Sequence, residues 1–108
     1  MKTLSHSFTR GDVEAVLAAL SVLPAYGFED DAIDPDSFFL LCETTGTKLA
    51  TQKNPTAKEA YLIAFAIDCA CQALRGELLL DEDALGEIKQ YFFTYQKLHP
   101  VFSPLLDM

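Results

Sequence analysis

Between Asn54 and Gly76 lie fifteen consecutive residues, Ala60 to Leu74, that are apolar on nearly every face of a helix. The stretch carries its own boundaries. Asn54-Pro55 reads as a helix start, because Asn caps free backbone N–H groups and Pro loses no donor in a first turn. Arg75-Gly76 reads as a stop: a cation near the negative end, then a residue free to turn left-handed. A helix apolar all round needs neighbours on every side. The pattern predicts a central, nearly fully buried third helix of about 21 residues, roughly 31 Å long.

Other helices are written around it. Thr9 and Asp12 form a cap pair ahead of Val13, Val16, Leu17 and Leu20, which recur at i, i+3, i+4 and i+7. This predicts a first helix over 10–22, ended by Pro24. Residues 24–34 read as a loop in which Tyr26, Phe28 and Ile33 tuck onto the core. Asp34-Pro35-Asp36 opens a second helix with a cap, a first-turn proline and a favourable charge. Its run Phe38 to Cys42 is too long for one narrow face, so the helix is either deeply wedged or turns Phe39 or Leu40 outward. Thr44-Thr45-Gly46 is expected to end it, with 47–53 as a turn or connection. Asp81 caps a fourth helix, with Leu85, Ile88, Phe92 and Tyr95 on its inner stripe and Pro100 as its stop. Residues 101–106 fold back as an apolar tail with a helical turn after Ser103-Pro104. Glu77 to Leu80 reads as a short strand only if a partner strand exists, and none is evident. The sum is an all-α, compact four-helix bundle-like single domain over residues 1–108.

Composition limits the function classes. Half the residues are hydrophobic, enough for a real core in 108 residues without metal or disulfide help. Sixteen acidic against eight basic residues give a formal charge of −8, which repels nucleic-acid phosphates and anionic membrane surfaces and attracts a basic protein. Residues 1–8 show no apolar leader core, and the 60–74 stretch is shorter than the ~20 residues of a membrane span and holds Asp68. The chain reads as cytoplasmic. The three cysteines agree: Cys69 and Cys71 point about 200° apart on a helix, and with Cys42 they read as buried, reduced thiols.

Chemical motifs are missing. There is no phosphate loop, dinucleotide fingerprint, H-E-x-x-H or G-x-S-x-G. No Glu-x-x-His suggests a di-iron site, and the carboxylates at 30–36 lack the glycine and spacing of a calcium loop. Neither a metal nor a cofactor is expected. His6 and His99 lie near the two ends of the sequence, with no nucleophile assigned beside them. Asp68 either sits on the least buried edge of its helix, bonded to Gln72, Thr94 or a tyrosine hydroxyl, or is a functional acid in a pocket. Phe93 falls among Lys89, Gln96 and Lys97 on the polar side of the fourth helix. It is either covered by another segment or an exposed anchor for a partner.

The acidic residues cluster twice. Glu29, Asp30, Asp31, Asp34 and Asp36 form one group; Glu77, Asp81, Glu82, Asp83 and Glu87 form the other. Capping and dipole chemistry explain part of this. In an up-down bundle the second and fourth helices start at one end, so the groups pool into one electronegative surface. These ten residues and Phe93 are the expected partner-binding set. The leading expectation is a non-enzymatic protein-binding domain, most concretely an immunity-type inhibitor that neutralises a basic toxin or nuclease. The alternative is a chaperone or adaptor, possible as a homodimer, that holds an amphipathic segment in an apolar groove lined by Phe38–Leu41, Phe93 and Val101–Leu106.

Overall fold

A computed structural model describes residues 8–23 and 34–107. Every regular element among them is helical: α1 (Arg10–Val22), α2 (Pro35–Ala50), α3 (Ala57–Leu74), α4 (Glu82–Lys89), α5 (Phe92–Phe102) and a final 3-10 turn, Ser103–Asp107. The globule measures 35 × 32 × 26 Å. The strand considered at 77–80 does not form, and Leu79 there is 95% exposed. The predicted tuck of Tyr26, Phe28 and Ile33 lies outside the described residues.

α1 has the predicted bounds and capping box. Thr9 Oγ1 accepts from the Asp12 N–H, and Asp12 Oδ2 accepts from the Thr9 N–H. α3 starts at a different cap. Thr56 and Glu59 form a second capping box, so the helix begins at Ala57, two residues beyond Pro55. Reciprocal bonds satisfy two orphan donors there, where Asn54 offers one. Its end is as predicted: Gly76 has φ 81°, and the N–H groups of Gly76 and Glu77 reach back to Ala73 and Gln72.

α2 runs past Thr44-Thr45-Gly46 to Ala50. Gly46 is not a stop but a point of close approach: a Cβ there would stand 2.9 Å from Leu17 Cδ2 of α1. The buried Thr45 hydroxyl bonds the Leu41 carbonyl inside the helix. α2 ends instead in the same left-handed turn that closes α3, but with Gln52 at φ 60° in the place of a glycine. Gln52 N–H bonds Leu49 and Lys53 N–H bonds Lys48.

The predicted fourth helix is two helices. Tyr91 leaves the helical region at φ −106°, ψ 18°, its N–H bonds Ile88, and α5 begins at Phe92 without a side-chain cap. The break takes Phe92 off the buried stripe, which consists of Ile88, Tyr95, Leu98 and Phe102. Pro100 does not stop α5. The carbonyl it leaves unbonded belongs to Gln96, an exposed residue whose side of the helix faces water.

α3 packs against α1, α2, α4, α5 and the 3-10 turn. It buries Leu62, Ile63, Ala66, Ile67, Ala70 and Ala73 among others, while Tyr61, Phe65, Asp68 and Gln72 form a half-buried line at steps of three and four. α5 runs antiparallel to α1. Phe8 meets Phe102 with the rings tilted by 34° and their centroids 5.7 Å apart, Lys97 Nζ lies 2.7 Å from Asp12 Oδ1, and the Tyr95 hydroxyl donates to Ala15 O at 2.7 Å. α5 is antiparallel to α3 as well, with His99 beside Asp68 and Tyr95 near Cys71. The last turn of α2 meets the first turn of α3 through Lys48 and Glu59, 2.7 Å apart.

Candidate functional site

Asp34 and Asp81 are helix caps. Asp34 accepts from the Ser37 N–H and hydroxyl, and these bonds hold its carboxyl below the usual range. Asp81 accepts from the Ala84 N–H. Asp36, Glu82, Asp83 and Glu87 are exposed, and no ion pair holds any of them among the described residues. Glu77 differs: its carboxylate pairs with Arg75, the cation that ends α3. Lys89, in the last turn, is the one basic side chain of α4. Glu29, Asp30 and Asp31 lie outside the described residues.

Phe93 is 79% exposed and meets Phe92 edge-on, with ring centroids 5.5 Å apart. It stands in the first turn of α5, and the C-terminal tail does not cover it. The tail packs elsewhere: Phe102 is fully buried, and the 3-10 turn lies against α3 and α5.

Asp68 lies on the half-buried line of α3. Its Oδ2 accepts from Gln72, one of the partners the spacing suggested, and its Oδ1 lies 2.9 Å from His99 Nε2. The histidine is a partner that sequence reasoning missed. The Asp68–His99 pair has the form of a general base and its orienting carboxylate. A nucleophile is not supplied by the neighbouring thiols. Burial, with the Asp68 charge added, pushes the Cys69 thiol up to about 12, and burial also raises Cys71. Among the described residues no group of three His, Cys, Asp or Glu side chains is placed to hold a metal ion. No helix there is long and apolar enough to cross a membrane.

A groove of about 600 Å³ opens between α1 and α2. One wall is the outer stripe of α2 from Pro35 to Ala50; the other is Leu17, Leu20 and Ser21 of α1 with its C-cap Leu23. Phe39 stands at its rim, 64% exposed, and Leu40 is exposed beside it, so both outward options for α2 are realised. Cys42 lines the groove half-buried, its thiol pushed up to about 11 by burial. Phe93 and residues 101–106 are not among its walls, so the three apolar segments expected to share a groove do not meet there.

The chain matches no protein-family model, and no curated protein or solved structure matches it.

Proposed function

We propose that this is a non-enzymatic protein-binding domain whose acidic pole receives a basic protein partner. Its most concrete form is an immunity-type inhibitor of a basic toxin or nuclease, acting in the cytoplasm without a cofactor. The reading treats the helices as a bundle about α3. One observation carries it: the direction of the helices. α1 and α3 both run antiparallel to α5, and the end of α2 meets the start of α3. The ends of α1 and α3 then share a pole with the starts of α2 and α5, and α4 bridges that pole because it joins α3 to α5. Asp34 and Asp36 belong to the start of α2, Asp81, Glu82 and Asp83 to the start of α4, and Phe93, in the first turn of α5, is an aromatic anchor among them.

Such a surface speeds encounter with a cationic partner and makes it sensitive to salt. The test is to capture the partner from the source cell and measure its association with the purified domain. A basic partner is expected, with an association rate that falls at least about tenfold between about 50 and about 300 mM salt. Replacing Asp36, Glu82 and Asp83 by Lys removes that dependence. An acidic partner, or association indifferent to salt and to those replacements, contradicts the reading. A second reading, a chaperone or adaptor that holds an apolar segment, alone or as a homodimer, is favoured by the α1–α2 groove.

A further inference from the structure

Resting on the acidic-pole reading, we propose that the α1–α2 groove is the docking site of an amphipathic helix with lysine or arginine flanking its apolar face. The groove wall has a helical repeat. Pro35, Phe39, Cys42, Gly46 and Ala50 follow one another at steps of three and four along α2. They form a straight trough about 22 Å long, the length of four helical turns. In its middle Cys42 is half-buried, and Gly46, which has no Cβ, lets Leu17 of α1 approach the floor of the trough. An aromatic rim at Phe39 and an aliphatic far wall at Leu17 and Leu20 suit the i, i+3, i+4, i+7 anchors of a helix laid lengthwise.

The charges choose the occupant. Among the described residues Glu43 is the one carboxylate in the wall, and Asp36 follows Pro35 at the end of the trough nearest the acidic pole. Neither has an ion-pair partner among the described residues. Lys48, the cation of α2, is bound to Glu59 and does not line the groove. The α1 wall carries no charge from Ala15 to Leu23. Among the described residues a ligand with an anionic head meets no cation here, whereas a helix edged with cations meets carboxylates as its apolar face enters the trough.

The test uses the full chain and two fluorescent peptides of about 16 residues, matched to four turns. One is an amphipathic helix of Leu and Lys, the other the same pattern with Glu for Lys. The Leu/Lys peptide is expected to bind and the Leu/Glu peptide not. Cys42→Trp, which fills the trough, and Phe39→Ser, which strips its rim, each weaken binding about tenfold or more. Leu79→Ser, at an exposed leucine outside the groove, leaves it unchanged. Phe39 is largely solvent-exposed, so Phe39→Ser retains the fold and decides the matter even if Cys42→Trp unfolds. Undiminished binding by Phe39→Ser and a folded Cys42→Trp overturns the groove. If Asp36→Lys with Asp83→Lys still weakens that binding, the acidic pole survives the loss of the groove. Equal binding of both peptides overturns the basic occupant and the pole together. A dimer in sedimentation that Phe39→Ser dissolves assigns the groove to a second copy of the chain and overturns the proposal.

Discussion

Lys97 Nζ lies 2.7 Å from Asp12 Oδ1, so a lysine on α5 closes the charge of a buried carboxylate that already caps α1. Glu59 repeats the arrangement at the start of α3, with Lys48 of α2 as its cation. In each case the capping-box carboxylate, third residue of its helix, is buried and takes a lysine from a neighbouring helix. Burial alone raises these two carboxyls. The lysine bonds and the cap bonds together outweigh it and leave both below their usual values. A carboxylate whose pKa is lowered by folding contributes stability above its unfolded pKa, about 3.9 for Asp and 4.3 for Glu, and loses it as pH falls through the folded value. Urea unfolding is therefore expected to weaken steeply below about pH 4. Lys97→Met should cost about 1 kcal/mol at pH 7 and move the acid transition to higher pH. Urea melts at three pH values check both effects; an unchanged acid transition in Lys97→Met contradicts the role given to the pair.

The thiols shape the alkaline side together with the Tyr95 hydroxyl, which burial also raises. Cys42 and Cys69 are raised to about 11 and about 12 by burial, helped at Cys69 by Asp68. Their neutral forms are favoured by the fold, so their contribution is complete below the unfolded thiol pKa of about 8.5 and is lost as pH rises through the folded values. Urea midpoints are expected to fall between about pH 8.5 and 11, and Cys69→Ala should make that fall shallower. A slope identical to that of the parent protein would place the alkaline loss elsewhere.

Gln52 holds the left-handed position of a helix-ending turn that Gly76 holds at the end of α3. A side chain in that conformation costs roughly 1 kcal/mol that glycine does not incur. Gln52→Gly should raise the unfolding free energy by about 0.5–1 kcal/mol, and Gly76→Ala should lower it by about 1 kcal/mol. Thermal melts of the two variants should move in opposite directions.

The Tyr95 hydroxyl donates to the Ala15 carbonyl across eighty residues of chain, in a fully buried position. Tyr95→Phe keeps the packing and removes the donor, so it should cost about 1 kcal/mol. Hydrogen exchange should quicken first in the N-terminal half of α1. A loss confined to α5 would show that the bond does not tie the two helices.

Local signals were the legible part of this chain. Thr9 with Asp12, Asp34 with Pro35, and Arg75 with Gly76 mark boundaries by chemistry within four residues, and those boundaries stand. The Thr56–Glu59 box is an equally local signal, and it prevails over Asn54-Pro55 because it satisfies two donors where Asn54 offers one. Gly46 misleads because its purpose is contact with Leu17, twenty-nine residues away, and a glycine at a contact looks the same as a glycine at a stop. The break at Tyr91 has no glycine or proline to announce it. The meeting of His99 with Asp68 depends on how α5 lies on α3, and the groove depends on α1 leaving the α2 stripe uncovered. Both are products of helix packing, which periodicity within one helix does not encode.

The most direct test of the binding account is an amide chemical-shift map of the labelled domain as a basic partner, or the Leu/Lys peptide, is added. The account predicts the largest shifts at the acidic pole and along the groove, in residues 17–23, 34–47, 81–83 and 92–93. Shifts confined to the opposite pole, around residues 51–58 and 99–105, would contradict it.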